Sequence, residues 1–312
     1  MSSVLAALLP VFLVVALGVA LKRGLLPEAS HWLALERLTY FVLFPALIVV
    51  SIGRAELGGV AVIGVCIALL GGLAIMALLL SATRVPASRI LGLDGPGYTS
   101  LYQGALRWNT YVGLAIAGGL EGAAGLAVAA VAIAVIIPVA NILSVVTLAR
   151  YGGNATPGLR AILMQIARNP FIWSCLLGIV INLFHIPVPP VLVTFGDILG
   201  RASLALGLLV VGAGLHIAGL RNPRAATWVS CVLKLAVMPA LCIGIGIACG
   251  LKGVDLVVVA IAAAVPSAPN GYVLARQMGG DAQLLAEMLT VQILCAVVTL
   301  PLTISAVSYF RI

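Results

Sequence analysis

Two asparagines carry the most chemical information in this chain. Asn109 stands in Gln103-Gly-Ala-Leu-Arg107-Trp-Asn109-Thr-Tyr111-Val-Gly113, and Asn270 stands in Val265-Pro266-Ser-Ala-Pro269-Asn270-Gly271-Tyr272-Val273. Both sit inside long apolar stretches. Pro266, Pro269 and Gly271 together cannot continue a regular helix, because proline has no amide donor and its ring clashes with the preceding turn. An asparagine at such a break is a favoured N-cap, its side-chain oxygen accepting from an orphan backbone N–H. If Asn109 and Asn270 each cap the helix that follows, two helix N-termini with free donors and partial positive charge face the middle of the structure. That arrangement suits an anion, above all a carboxylate. The alternative is that both side chains only satisfy the local backbone.

Other residues around the breaks fit the same chemistry. Arg107 is a guanidinium next to the first break, able to grip a carboxylate with two parallel hydrogen bonds, or else to snorkel or pair with an acid. Tyr111 and Tyr272 follow the two breaks at matching positions and either line a pocket or pack with a satisfied hydroxyl. Pro266 and Pro269 shape the second break. Arg276 reads as a helix end. Lys234 lies deep in an apolar stretch and calls for an acid. Glu287 is the expected partner, as a structural ion pair or as a pair whose protonation couples to function. Asp197 and Arg201, four apart, share a helical face and are expected to pair.

Several chemistries find no support. Six cysteines, Cys66, Cys175, Cys231, Cys242, Cys249 and Cys295, all fall in apolar stretches without C-x-x-C spacing and read as small hydrophobes. His31, His185, His216 and Glu56 read as boundary residues, and no ligand spacing links the histidines into a metal site. No phosphate-binding Gly-x-x-x-x-Gly-Lys-Ser/Thr loop, His-Glu-x-x-His or Gly-x-Ser-x-Gly motif occurs. No Asp stands at either break, which argues against cation–proton exchange. No cofactor is called for, and no nucleophile–base pair supports an intramembrane enzyme.

The elements that must position these residues are membrane helices. The 312 residues are 63% hydrophobic and 8% charged, with mean hydropathy +1.24, where a soluble domain carries roughly 25% charge. A spanning helix needs about 20 mostly apolar residues. Ten such stretches are read: 4–21, 31–52, 57–83, 97–118, 122–149, 161–184, 192–217, 225–250, 254–276 and 282–308. The first has its basic pair, Lys22 and Arg23, after the apolar run, unlike a secretory signal, and is expected to be a retained helix. The formal charge of +8 is scattered through short loops and has no nucleic-acid signature. Ten Lys and Arg fall on the side of Lys22 and Arg23 (with Arg84, Arg89, Arg150, Arg160, Arg168, Arg221, Arg224 and Arg276), against three, Arg54, Lys252 and Arg311, on the other. Positive charge stays in the cytoplasm, so both termini are expected on the non-cytoplasmic side of a cell membrane.

The chain also repeats itself. Pro10, Gly18 and Pro27 recur as Pro170, Gly178 and Pro187 at an offset of 160, and Asn109 and Tyr111 recur as Asn270 and Tyr272 at 161. Residues 1–150 and 151–312 are thus two five-helix halves. Five is an odd number, so the second half enters the membrane from the opposite face, an inverted repeat of the kind used by secondary transporters.

At these residues the chain resembles the auxin efflux carrier family, whose bacterial members are often linked to malonate. The resemblance covers nearly the whole length. It is strongest over Ala263-Ala264-Val265-Pro266-Ser267-Ala268-Pro269-Asn270, through Ala275 and Gly279-Gly280-Asp281 to Thr299-Leu300-Pro301. Asn169-Pro170 with Gly178, Lys234 with Pro239, and Leu43-Phe44-Pro45-Ala46-Leu47 also look like the family. The resemblance implies an all-α fold of the PIN-like, bile-acid-symporter type. Its ten helices divide into a scaffold (helices 1, 2, 6 and 7) and a transport domain (helices 3–5 and 8–10), with helices 4 and 9 broken and crossing. It further implies a homodimer and alternating-access transport of a small organic anion. Ala115 departs from the family, which has a proline there, and Arg107 and Trp108 are unusual beside it. An uncoupled uniporter or channel, or a ligand sensor, would use the same broken helices.

Overall fold

The computed structural model describes residues 2–54, 61–153, 164, 170–215 and 222–308. The described residues form helices and no strand. In chain order these are α1 Ser2–Arg23, α2 Ala29–Leu38, α3 Phe44–Gly53, α4 Val62–Ala82, α5 Arg84–Leu91, α6 Gly95–Leu106 and α7 Thr110–Tyr151. They continue with α8 Pro170–Leu183, α9 Pro190–Ala213, α10 Ala225–Val232, α11 Met238–Ala248, α12 Gly253–Ala264, α13 Asn270–Met278 and α14 Ala282–Ser308. Among the described residues, six helical stretches are long and apolar enough to cross a bilayer: Ala29–Gly53, Val62–Ala82, Gly95–Tyr151, Pro190–Ala213, Ala225–Ala248 and Ala282–Ser308. Large apolar side chains such as Leu13, Ile63, Leu78, Trp173, Phe195 and Val298 are exposed on their outer faces. That surface is sustainable only against lipid, so this is an all-α, multi-span membrane protein.

Local chemistry explains where the helices deviate. α2 runs into α3 through a π-turn at Thr39–Leu43, and α10 into α11 through a second at Leu233–Val237. Pro45 and Pro239 stand at the start of the helix after each. A proline ring clashes with the carbonyl four residues back, and a widened turn relieves the clash without ending the helix. α7 has 42 residues, about 63 Å if straight, twice the ~30 Å hydrocarbon core. It is instead split at Gly122, whose φ of 59° and ψ of −139° only glycine adopts readily. The two arms pack so closely that a Cβ on Gly125 would lie 2.3 Å from the Ala117 carbonyl oxygen.

Glycines also set the tightest helix contacts. Gly18 of α1 abuts the Leu209 backbone of α9, and Gly212 of α9 abuts the Val15 carbonyl of α1. Gly178 of α8 abuts Ile52 and Val49 of α3. In lipid, where helices gain no hydrophobic drive from association, such small residues allow the close packing that holds them together. α4 packs on α7 and α11, and α12 packs on α7, α11 and α14. Residues Gly97–Leu106 of α6 and Leu256–Ala264 of α12 are buried on every side. Both helices therefore end inside protein, which is where interrupted backbone is tolerated at membrane depth.

Two expected ion pairs are different in the structure. Asp197 bonds Arg54 at 3.1 Å rather than Arg201, because the end of α3 brings Arg54 against α9. Glu287 does not meet Lys234. It accepts from the Arg224 backbone N–H at 2.7 Å, from Arg224 Nε at 3.4 Å and from the Thr227 hydroxyl. Arg224 caps α10, level with the first turns of α14. Lys234 lies ten residues further on, roughly 15 Å along the helix, beyond the reach of Glu287. Burial alone would lower the Arg224 guanidinium, but Asp281, bonded to it at 2.7 Å, and the Glu287 charge hold it above its ordinary value. Glu56, Arg160, Arg168, Asn169, His216, Arg221, Arg311 and the start of the 161–184 stretch lie outside the described residues. Among the described residues no cluster of His, Cys, Asp and Glu is arranged to hold a metal.

Candidate functional site: a cavity between two interrupted helices

The chain is non-helical at 107–109, between α6 and α7, and at 265–269, between α12 and α13. The two interruptions are bonded to each other. Asn109 N–H donates to the Pro266 carbonyl at 2.8 Å. The Ser267 N–H donates to Gln292 Oε1 at 2.8 Å, and Gln292 Nε2 donates to the Gly104 carbonyl at 3.0 Å and to Ser230 Oγ at 2.9 Å. Backbone groups freed by the breaks are thereby satisfied, as burial away from water demands.

The two asparagines have different roles. Asn109, fully buried, caps α7: its Oδ1 accepts from the Val112 N–H at 3.3 Å. Its Nδ2 has no partner. Asn270 does not cap α13, contrary to the expectation. Pro269, already in helical conformation, occupies the cap position, and Asn270 is the first helical residue. Its side chain is therefore free of the backbone, and Oδ1 accepts from Arg107 Nη2 at 3.0 Å.

Arg107 is the centre of the site. It is 5% exposed, ends α6, and donates from Nη2 to Asn141 Oδ1 at 2.9 Å as well as to Asn270. Its Nη1 has no partner, and no ion pair neutralises it among the described residues. Gly271 makes room for this side chain, since a Cβ there would lie 3.1 Å from Arg107 Cδ.

Arg107, Asn109, Asn141, Pro269 and Asn270 line a cavity of about 590 Å³, within the range of small-molecule sites. Aromatic residues form much of its wall: Tyr40, Phe41, Trp108, Tyr111 and Phe171. Tyr111 stacks on Phe44 with ring centroids 4.7 Å apart. Glu36 and Arg37 reach the cavity from α2, and Gln277 from α13. Tyr272 does not line it and lies instead with its ring 6.0 Å from the Arg276 guanidinium. Pro266 contributes its carbonyl to Asn109 rather than a cavity surface. Lys234 is 1% exposed and outside this cavity.

Asn141, Glu36 and Gln292 were not singled out from sequence. Asn141 and Gln292 are amides in largely apolar helices, costly in a membrane unless they have a task, and that cost is the signal they carry; Glu36 stands beside Arg37 in a more polar helix and carries no such signal.

Comparison with known proteins agrees with this architecture. Residues 155–304 match the sequence profile of the family described as membrane transport protein. An uncharacterized transporter of Methanothermobacter thermautotrophicus is 27% identical over 300 residues, covering 94% of this chain and 95% of the relative. The uncharacterized transporter YfdV of Escherichia coli K12 is 28% identical over 143 residues, 46% of this chain and 45% of its own. Beside the all-helical multi-span fold, the chain is thus similar over its second half to the membrane transport protein family, and over most of its length to a relative described as a transporter.

Proposed function

We propose that the chain is a secondary transporter for a small organic anion, bound by a carboxylate at Arg107 in the cavity between the two helix interruptions. One observation carries this reading: Arg107 is buried, charged, held in place by two amides, free at Nη1 and without an ion-pair partner among the described residues. A buried charge without a counter-charge is costly, and an arriving carboxylate supplies one through charge-assisted hydrogen bonds. Asn109 Nδ2 is a further unpaired donor. A single buried cation among aromatic walls favours a carboxylate with an apolar body, auxin-like rather than malonate-like. A dicarboxylate would need a second cation, for which Arg37 is the candidate within the cavity lining.

The transport cycle is alternating access. The scaffold consists of α1–α3, α8 and α9, whose contacts run through Gly18, Gly178 and Gly212. The moving part consists of α4–α7 and α10–α14, which carries both interruptions. An inverted repeat is supported by Gly18 and Gly178, 160 residues apart: the first seats α1 on α9, the second seats α8 on α3. The topology with both termini outside is supported by basic residues gathered at one end. There Arg84 lies 4.0 Å over the Tyr151 ring, and Gly153 bonds Gly279. The cavity lining reaches Val145 and Gln277, close in the chain to Arg150 and Arg276, as expected for an inward-facing state.

The test is a thermal-shift screen of organic anions on the purified protein, followed by counterflow in proteoliposomes. A stabilising carboxylate that acts on the wild type and not on Arg107→Gln supports the site. Stabilisation by cations or neutral amines alone overturns it. Saturable, trans-stimulated exchange identifies a carrier, and its absence identifies a channel.

A further inference from the structure

A second, smaller void lies behind the transport cavity. Its volume is about 10 Å³, room for a single water-sized occupant. Leu69, Leu106, Met238, Cys242, Lys234 and Trp108 are among its lining residues. Trp108 lines the transport cavity as well, so the indole stands in the wall between the two spaces.

The chemistry of this void is one-sided. Lys234 is 1% exposed and has no hydrogen bond and no ion pair with any described residue. Glu287, the acid closest to expectation, is fully engaged by Arg224 and Thr227. Trp108 is 3% exposed, and its Nε1–H has no partner. The lining side chains thus bring two unsatisfied donors, one on a cationic group, and as acceptors only the weak sulfurs of Cys242 and Met238, which are engaged with each other. A water placed there would leave its own hydrogens unsatisfied. A small anion would accept from both donors and neutralise a charge that is otherwise isolated in an apolar interior.

We propose that Lys234 and Trp108 form a binding site for one small monovalent anion of halide type, chloride being the obvious occupant. The site is separate from the carboxylate site at Arg107, with Trp108 between them. It compensates Lys234 where no acidic residue is provided. The void is too small for sulfate, phosphate or a carboxylate, so these are excluded by size. The π-turn at Leu233–Val237, widened by Pro239, is what carries Lys234 at this position.

The experiment uses the full chain in detergent, melted in sodium gluconate, chloride, bromide or sulfate at equal ionic strength. Chloride and bromide are expected to raise the melting temperature saturably above gluconate, and sulfate is not. Lys234→Met is expected to abolish the halide response. Trp108→Phe keeps the ring but loses one hydrogen bond to the ion, and is expected to raise the halide midpoint roughly tenfold. Identical melting of the wild type in all four salts overturns the proposal, and so does an unchanged halide response in either variant. Should Lys234→Met not fold, anomalous scattering from bromide-grown wild-type crystals decides. A bromide peak in the void supports the site, and a void holding only water or nothing overturns it.

Discussion

The amide N–H of Asn109 donates to the carbonyl oxygen of Pro266 across 2.8 Å, so the two interruptions of the helical chain are tied through their own backbones. Half of each interruption is thus structural before any ligand arrives. Arg107 Nη1 and Asn109 Nδ2 remain as buried donors without a partner, with Arg107 aligned by Asn141 and Asn270; these are the groups the proposed function assigns to a ligand.

Replacing Arg107 by Gln removes the charge while keeping a polar, though shorter, side chain. A hydrogen bond to a charged group contributes about 1.5–3 kcal/mol, so anion affinity is expected to fall on the order of 10- to 100-fold. The protein itself is expected to melt no lower, because an uncompensated buried charge is lost. Isothermal calorimetry and melting of the same sample check both halves.

The two asparagines are expected to separate. Asn109→Ala loses the α7 cap, which costs about 1 kcal/mol of stability, and weakens binding too. Asn270→Ala caps nothing, so stability is nearly unchanged, yet Arg107 loses one of its two anchors. Equal loss of melting temperature in both variants would contradict this division of roles.

Gln292 bonds the second interruption to Gly104 and Ser230. In Gln292→Leu the Ser267 N–H and the Gly104 carbonyl lose that partner in a buried setting, at about 1–3 kcal/mol each. A large drop in melting temperature is expected, far larger than for Thr299→Val, whose hydroxyl has no partner to lose.

Glu36 shares the cavity with Arg107, and a bound carboxylate would feel its charge. Glu36→Gln is expected to raise anion affinity, on the order of tenfold, by removing like-charge repulsion. Arg37 from the same helix, Tyr40 from the π-turn after it, and Arg107 and Tyr111 across the cavity are left in place. Affinity measured for the variant and the wild type in one buffer checks the sign.

These contrasts show what a one-dimensional reading can carry. The six apolar stretches long enough to cross a bilayer were legible, because about 20 apolar residues in a row leave few alternatives. The stretch around Pro266 and Pro269 was legible as non-helical, because proline's missing donor is a local fact, whereas Gly271 already lies in the helix that follows. The partners were not. Glu287 was assigned to Lys234 by counting the few acids available, yet Arg224 claims it, since helix ends decide which charges share a level. Asn270 reads as a cap by analogy with Asn109, but Pro269 takes the cap position and Asn270 is already the first helical residue. Asn141, 34 residues from Arg107 in the chain, had no motif at all, only the anomaly of an amide in an apolar helix.

Gly271 gives the sharpest separation of binding from folding. Its φ is not in the left-handed region, so alanine costs no backbone strain there, and in a helix alanine is favoured over glycine by up to about 1 kcal/mol. Space is the difficulty. The added Cβ would stand 3.1 Å from Arg107 Cδ and 3.2 Å from Leu285 Cδ2, closer than packed carbons prefer. Leu285 is in a packed cluster, whereas Arg107 borders open cavity, so Arg107 is the group that yields. A shift of that side chain by a few tenths of an ångström keeps its Nη2 near Asn141 and Asn270 but turns the guanidinium away from the orientation a carboxylate requires. Gly271→Ala is therefore expected to melt at or slightly above the wild-type temperature while binding anions on the order of tenfold more weakly, the loss of roughly one hydrogen bond to a charged group. Parallel melting and calorimetry on one preparation decide it, and a variant that loses stability but keeps its affinity would show that Arg107 is not positioned by this glycine.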